Sequence, residues 1–296
     1  MGIAVDQSTS GAAPTGHRRL PRWAKAGIVL AFLVAAAFAA LALQQGGDGG
    51  GDGPLNAIAQ AAEKTQGEPG GRVSMRAVVS NGSKTVAMRG RMVFDDEDRS
   101  RALVTAAVPE TGEKFQMRMV SDGTKVYLSS PRFGSLPDGK KWLGVDFGFA
   151  LEQGEESLVP GNPDAEGELE LLKGVSDDIR KLGKEDVRGV STTHYRSTIP
   201  VAEQAQHMQD LGADETAERF EENASPAKVE VWIDAKGLVR RMRVIQSLPQ
   251  LEDGKVTTTD MRMNFFDFGI DPEIDVPDSS EVFDATAQTE EAIEDH

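Results

Sequence analysis

From Gly71 onward the chain alternates between apolar and polar positions. Val73, Met75, Ala77 and Val79 share one face of GRVSMRAVVS, and Val86, Met88, Gly90, Met92 and Phe94 share one face of KTVAMRGRMVF. A period of two marks a strand with one buried face. Asn81-Gly82 between the runs tolerates the positive φ angles of a two-residue turn, so the pair predicts a hairpin. The same alternation predicts strands over 102–108, 114–120 and 125–130. Residues 131–148, rich in proline and glycine, read as mostly loop.

The period then changes. Helical spacing covers 149–153, 168–174 and 201–220, with a strand over 187–199 and Pro200 suited to the first helical position. Strands return over 228–233, 238–247 and 255–266. An earlier helix is predicted over 55–65, stopped by Gly67 and Pro69. Strands segregated from helices imply an α+β domain built on a large antiparallel sheet. Both strand runs close on Asp-Phe-Gly, at Asp146-Phe147-Gly148 and Asp267-Phe268-Gly269. The rest of the two halves does not align, so the repeat reads as strand ends and turns.

The N-terminal pattern is of another kind. His17, Arg18, Arg19, Arg22 and Lys25 precede an uncharged run over 26–43, AGIVLAFLVAAAFAALAL. Eighteen residues of helix reach about 27 Å, enough to cross a thin hydrocarbon core. The basic flank belongs in the cytoplasm, which puts the remainder outside. A cleaved signal peptide is the other reading, because Ala40-Leu41-Ala42 satisfies a small-x-small site. Either way the bulk of the chain is exported, as a single-pass membrane protein or as a secreted one. The expected organisation is a cytoplasmic leader (1–25), a transmembrane anchor or signal peptide (26–43), a Gly-rich linker (44–54), an extracytoplasmic domain (55–283) and an acidic, disordered tail (284–296).

Composition narrows the chemistry. The 296 residues are 39% hydrophobic and 27% charged, which suits a folded core, with a formal net charge of −16. Nucleic acid is a poor partner for such a chain, because phosphate binding needs a basic face. An acidic surface likewise discourages adhesion to anionic lipid. The chain has no cysteine, which removes disulfides, thiol nucleophiles and zinc–thiolate sites together.

Catalytic patterns are missing as well. No nucleotide loop accompanies the Asp-Phe-Gly triplets, and Walker A, GxGxxG, HExxH and GxSxG spacings are absent. His194 alternates along a strand and His207 lies on a polar helix, so neither has a partner in sequence. The acidic run Asp95–Asp98 lacks the order of a calcium loop and reads as a solvated turn. No catalytic residue, metal ligand or cofactor site is assigned.

Methionine is the unusual feature. Met75, Met88, Met92, Met117, Met119, Met242, Met261 and Met263 all fall in predicted strands, where unbranched side chains have low propensity. They can fill a core, or line a deformable pocket for a flexible apolar ligand.

The runs YLSSP…LPDGKKWLGVDF, LELLKGVSDDIRKLGKEDVRGVSTTHYRSTI, VEVWIDAKGLVRRMRV and VPDSSEVFDAT together resemble the LppX/LprG family of actinobacterial lipoproteins, within the LolA-like lipoprotein-carrier superfamily. The likeness covers roughly residues 55–286 and rests on strand-end turns rather than a catalytic signature. It implies a strongly curved antiparallel half-barrel with helices packed over its concave side. Between them would lie an apolar cavity for acyl chains of lipids or lipoglycans. No catalytic residues transfer, and the lipid-modified cysteine of that family is missing here, leaving membrane attachment to 26–43. Met75, Ala77, Met88, Met117, Met119, Val231, Ile233, Met261 and Met263 are the expected cavity wall. The alternative is a non-catalytic sensing or protein-interaction module of the same fold, with an envelope protein as partner. Trp232, on the opposite face of its strand, is expected to be a structural anchor.

Overall fold

A computed structural model describes residues 54–80, 85–108, 112–153, 179–210, 214–249 and 256–294. The expected leader and anchor, the linker up to residue 53, the helix over 168–174 and the Asn81-Gly82 turn lie outside them. Among the described residues no helix is long and apolar enough to cross a membrane.

The chain opens with α1 (Pro54–Gln66), the expected short helix. Five strands then meander: β1 (Gly70–Ser80), β2 (Thr85–Asp95), β3 (Arg99–Val108), β4 (Glu113–Asp122) and β5 (Lys125–Ser129). A sixth, β6 (Trp142–Asp146), follows where mostly loop was expected, and leads into α2 (Gly148–Gln153). Its WLGVD sequence does alternate, and pairing of Val145 with Val126 and of Leu143 with Leu128 holds it.

The expected strand over 187–199 is a hairpin. β7 (Arg180–Val187) and β8 (Val190–Ile199) turn about Arg188 and Gly189, both at positive φ, 53° and 81°. The single helix expected over 201–220 is two, α3 (Val201–Asp210) and α4 (Asp214–Asn223). β9 (Ala227–Asp234), β10 (Val239–Pro249) and β11 (Val256–Phe266) complete the second meander. The expected disordered tail is corrected: β12 (Val282–Asp284) pairs in parallel with β6, and α5 (Thr286–Glu294) follows. Ala285 and Thr289 are buried there, and Thr289 Oγ1 donates to the Ala285 carbonyl at 2.9 Å, so packing overrides acidic composition.

Among the described residues twelve strands form one open sheet in the order β12-β6-β5-β4-β3-β2-β1-β11-β10-β9-β8-β7. Every pair except β12–β6 is antiparallel. The sheet is curved and unclosed, as twist accumulates over many strands. The two meanders join through β1 and β11, where Met75 stands opposite Met263.

The VEVWIDAKGLVRRMRV hairpin is built as its residues dictate. Asp234 Oδ1 accepts from the backbone N–H groups of Lys236 and Leu238, and Gly237 takes φ 79°. A register shift between Val239 and Arg241 places the bulge after the turn.

Candidate functional site

The pairing register lines up apolar side chains in rows that cross the sheet on one face. The longest runs Tyr195, Val231, Met242, Met263, Met75, Gly90, Val104, Met117, one residue from each of eight neighbouring strands. A second runs Val229, Val244, Met261, Ala77, Met88, Ala106, Phe115. A third runs Phe265, Val73, Met92, Ala102, Met119, Leu128, Leu143. Side chains on one face of neighbouring strands stand about 4.5–5.5 Å apart, so these rows are continuous surfaces.

All nine residues expected in the cavity wall fall on this face. Met75, Ala77, Met88, Val231, Ile233 and Met263 are buried in one cluster, with Met261 packed against it. Met117 belongs instead to a second cluster around β5, β6, Phe133 and Phe147, with Met119 packed on its edge. The expected wall left out Phe265, Val104 and Ala106, although their alternation was visible, because the strand neighbours that make them a row were not, and it left out Val73 although that residue was placed on the apolar face of β1.

Large and small side chains alternate in the second row from Met261 to Phe115, and in the longest row Gly90 follows three methionines. A Cβ on Gly90 would stand 3.2 Å from Met75 Cε and 3.4 Å from Met75 Cβ, so Met75 lies across the space a side chain would need. Methionine suits such a surface because its unbranched chain adapts to irregular partners.

Helices cover part of this face. Ile58 and Ala61 of α1 enter the main cluster, and Thr65 clasps the helix to the hairpin. Its Oγ1 accepts from the Val239 N–H at 2.9 Å and donates to the Ala61 carbonyl at 2.6 Å. At the other end of β10, Gln246 donates to Gln204 of α3, and Ser225 beyond α4 exchanges two hydrogen bonds with Ser247. Gln246 lies two residues beyond Val244, hence on the same face as the rows.

The opposite face is polar. His194 stacks on Trp232, and Trp232 Nε1 donates to Glu185 Oε2 at 2.8 Å. Glu230 is buried and accepts from Arg196 Nε and Nη2. Burial lowers the His194 pKa below its ordinary value, although Glu230 and Glu185 oppose this. Trp232 therefore ties β7, β8 and β9 together, the structural role expected of it.

A cavity of about 580 Å³ opens at the rim, between the end of α1, the β9–β10 turn and the residues after β11. Lys64, Glu68, Lys236, Arg240, Asp267 and Phe268 are among its walls. Its charged lining differs from the apolar rows and suits no acyl chain. Among the described residues no cluster of three or more histidine, aspartate or glutamate side chains could hold a metal ion. Asp95 in the acidic run is buried rather than solvated. It accepts from the N–H groups of Glu97 and Arg99 and pairs with the Arg99 guanidinium at 2.8 Å.

No family model matches the chain. An uncharacterized 31.2 kDa Streptomyces griseus protein encoded in the rplA–rplJ intergenic region is 28% identical over 159 residues. That match covers 49% of this chain and 48% of the relative, so the chain spans about half the length of the curated relative it matches. Among solved structures, the Mycobacterium tuberculosis lipoprotein LppX is similar at 17% identity and a TM-score of 0.45, over 75% of this chain and 97% of that one. LprF from Mycobacterium bovis is similar at 11% identity and a TM-score of 0.41, over 75% and 96%.

Proposed function

We propose that the chain is a non-catalytic, extracytoplasmic lipid-binding protein that takes acyl chains onto the apolar face of its sheet. The observation that carries this reading is the continuous row from Tyr195 to Met117, with four methionines and one glycine across eight strands. A conventional core would fill such positions with β-branched residues that fix a single packing. Methionine beside glycine and alanine gives a surface that can repack around a flexible guest. An acyl chain gains about 0.8 kcal/mol per buried CH₂, so affinity follows from area and needs no polar signature. The helices over the face, α1 and the α3–α4 pair, are the cover that a guest would share or displace. In this reading residues 26–43 hold the protein to the membrane with the domain outside.

Native mass spectrometry of the gently purified protein, with extraction of any bound lipid, tests the proposal. The expected result is a lipid adduct, lost on delipidation and regained from added lipid. A folded protein that repeatedly carries none and takes up none sinks it.

A further inference from the structure

The polar face of the sheet carries a second pattern, one that the net charge of −16 conceals. Arg89, Arg76, Arg262 and Arg243 stand directly opposite one another on β2, β1, β11 and β10. Like charges facing each other across strands destabilise a sheet. Asp260 is the acid in the next row, and it is held by Arg243 through two bonds of 2.9 and 2.7 Å. Arg76, Arg89, Arg91 and Arg262 are exposed, and among the described residues none of the four enters an ion pair or side-chain hydrogen bond. At one end of the row Arg243 also meets Glu230 at 3.5 Å, and Asp260 attracts Arg262 and Arg76 through space, but among the described residues the guanidinium groups of Arg76, Arg89, Arg91 and Arg262 pair with no acid directly.

Beside the row lies Leu103, exposed at 42%. It faces Arg91 on β2 and Arg118 on β4, with exposed Arg101 two residues away along its own strand. A leucine framed by guanidinium groups fits the boundary of an anionic bilayer, where phosphates meet the cations and the apolar tip reaches the acyl layer.

We propose that this face, centred on Arg76, Arg89, Arg91 and Leu103, docks on the surface of an anionic lipid bilayer. Asp260 and Glu230 on this face are engaged by Arg243 and Arg196, so the exposed guanidinium groups around Arg76 and Arg89 form a cationic patch on a chain of net negative charge. Docking by this face would set the polar side of the curved sheet against the membrane and leave its apolar face turned away. The inference is independent of acyl binding, which uses the opposite face.

Because the chain has no cysteine, Leu103→Cys in the full chain accepts a single polarity-sensitive label, with Lys236→Cys as a control on the distant β9–β10 turn. Each labelled chain is reconstituted in vesicles of phosphatidylcholine alone or with phosphatidylglycerol. The expected result is a blue shift and several-fold protection from an aqueous quencher at position 103. It should appear only in the anionic vesicles, be reversed at about 1 M salt, where screening acts within about 3 Å, and be absent at position 236. The triple variant Arg76→Gln, Arg89→Gln, Arg91→Gln should lose the protection with an unchanged circular dichroism spectrum. Were that variant to unfold, the salt titration on the otherwise unaltered chain still decides. Equal quenching in both lipids overturns the inference. So does protection that persists at high salt or that needs an added acidic protein.

Discussion

The imidazole of His194 lies against the indole of Trp232, with ring centroids 4.1 Å apart and planes inclined by 12°. Glu185 and Glu230 approach its two nitrogens at 3.4 and 3.7 Å, and Nε2 is buried without a hydrogen-bond partner. Arg196 and Arg241 add positive charge around the same ring. Desolvation outweighs the two carboxylates, so the folded-state pKa lies below the ordinary 6.5.

A depressed histidine pKa means that the unfolded chain binds the proton more readily than the folded one. Stability should therefore fall as pH drops from about 6.5 through the lower folded value, and be fully present above 6.5. Urea midpoints measured between pH 7.5 and pH 5 should decline, and His194→Gln should flatten that part of the profile. An unchanged slope in the variant would assign the decline to the carboxylates instead.

Thr65 offers a sharper test of how the covering helix is attached. Its hydroxyl is the acceptor for the buried Val239 N–H, and Thr65→Val keeps the shape while removing that acceptor. Leaving a buried donor unsatisfied costs about 1–3 kcal/mol. The Val239 amide should exchange with deuterium faster than its neighbours on β10. Loss of stability without that local change would argue against the clasp.

Met263 is 1% exposed at the junction of the two meanders, between Met75 on β1 and Met242 on β10. Met263→Ala should destabilise the domain by about 2–5 kcal/mol, the range for large-to-small changes in a core that relaxes only partly. Denaturant unfolding measures this directly. A cost well under 1 kcal/mol would show that the rows are loosely packed even without a guest.

The period-two reading placed Met75, Ala77, Met88, Met261 and Met263 on one face because that face follows from a strand's own alternation. What joined them could not be read. Met75 meets Met263 across 188 residues of chain, and no local signal sets which strands become neighbours. β7 was missed for a related reason: Arg180 to Asp186 are all exposed, so the segment has no apolar alternation and exists through pairing with β8. β12 is three residues held in parallel to β6 from the far end of the chain. The cationic face was hidden by bulk charge, since its arginines come from β1, β2, β10 and β11 and become contiguous only in register.

Gly90 separates the two roles that the apolar face can have. Its position between Met75 and Val104 in the longest row leaves no room for a side chain unless Met75 moves. Gly90→Val fills that space with a branched group, and overpacking of this kind costs about 1–3 kcal/mol. If the row serves as core alone, lost stability is the whole effect. If it receives acyl chains, the variant should also take up less lipid at temperatures where it is fully folded, because the added methyls occupy the groove that a guest would follow. Gly90→Ala adds less bulk and should retain most of the stability with an intermediate loss of uptake. Lipid content by native mass spectrometry, compared at matched folded fraction, distinguishes the cases. Undiminished uptake in a folded Gly90→Val protein would move the lipid site away from the Met75–Val104 row.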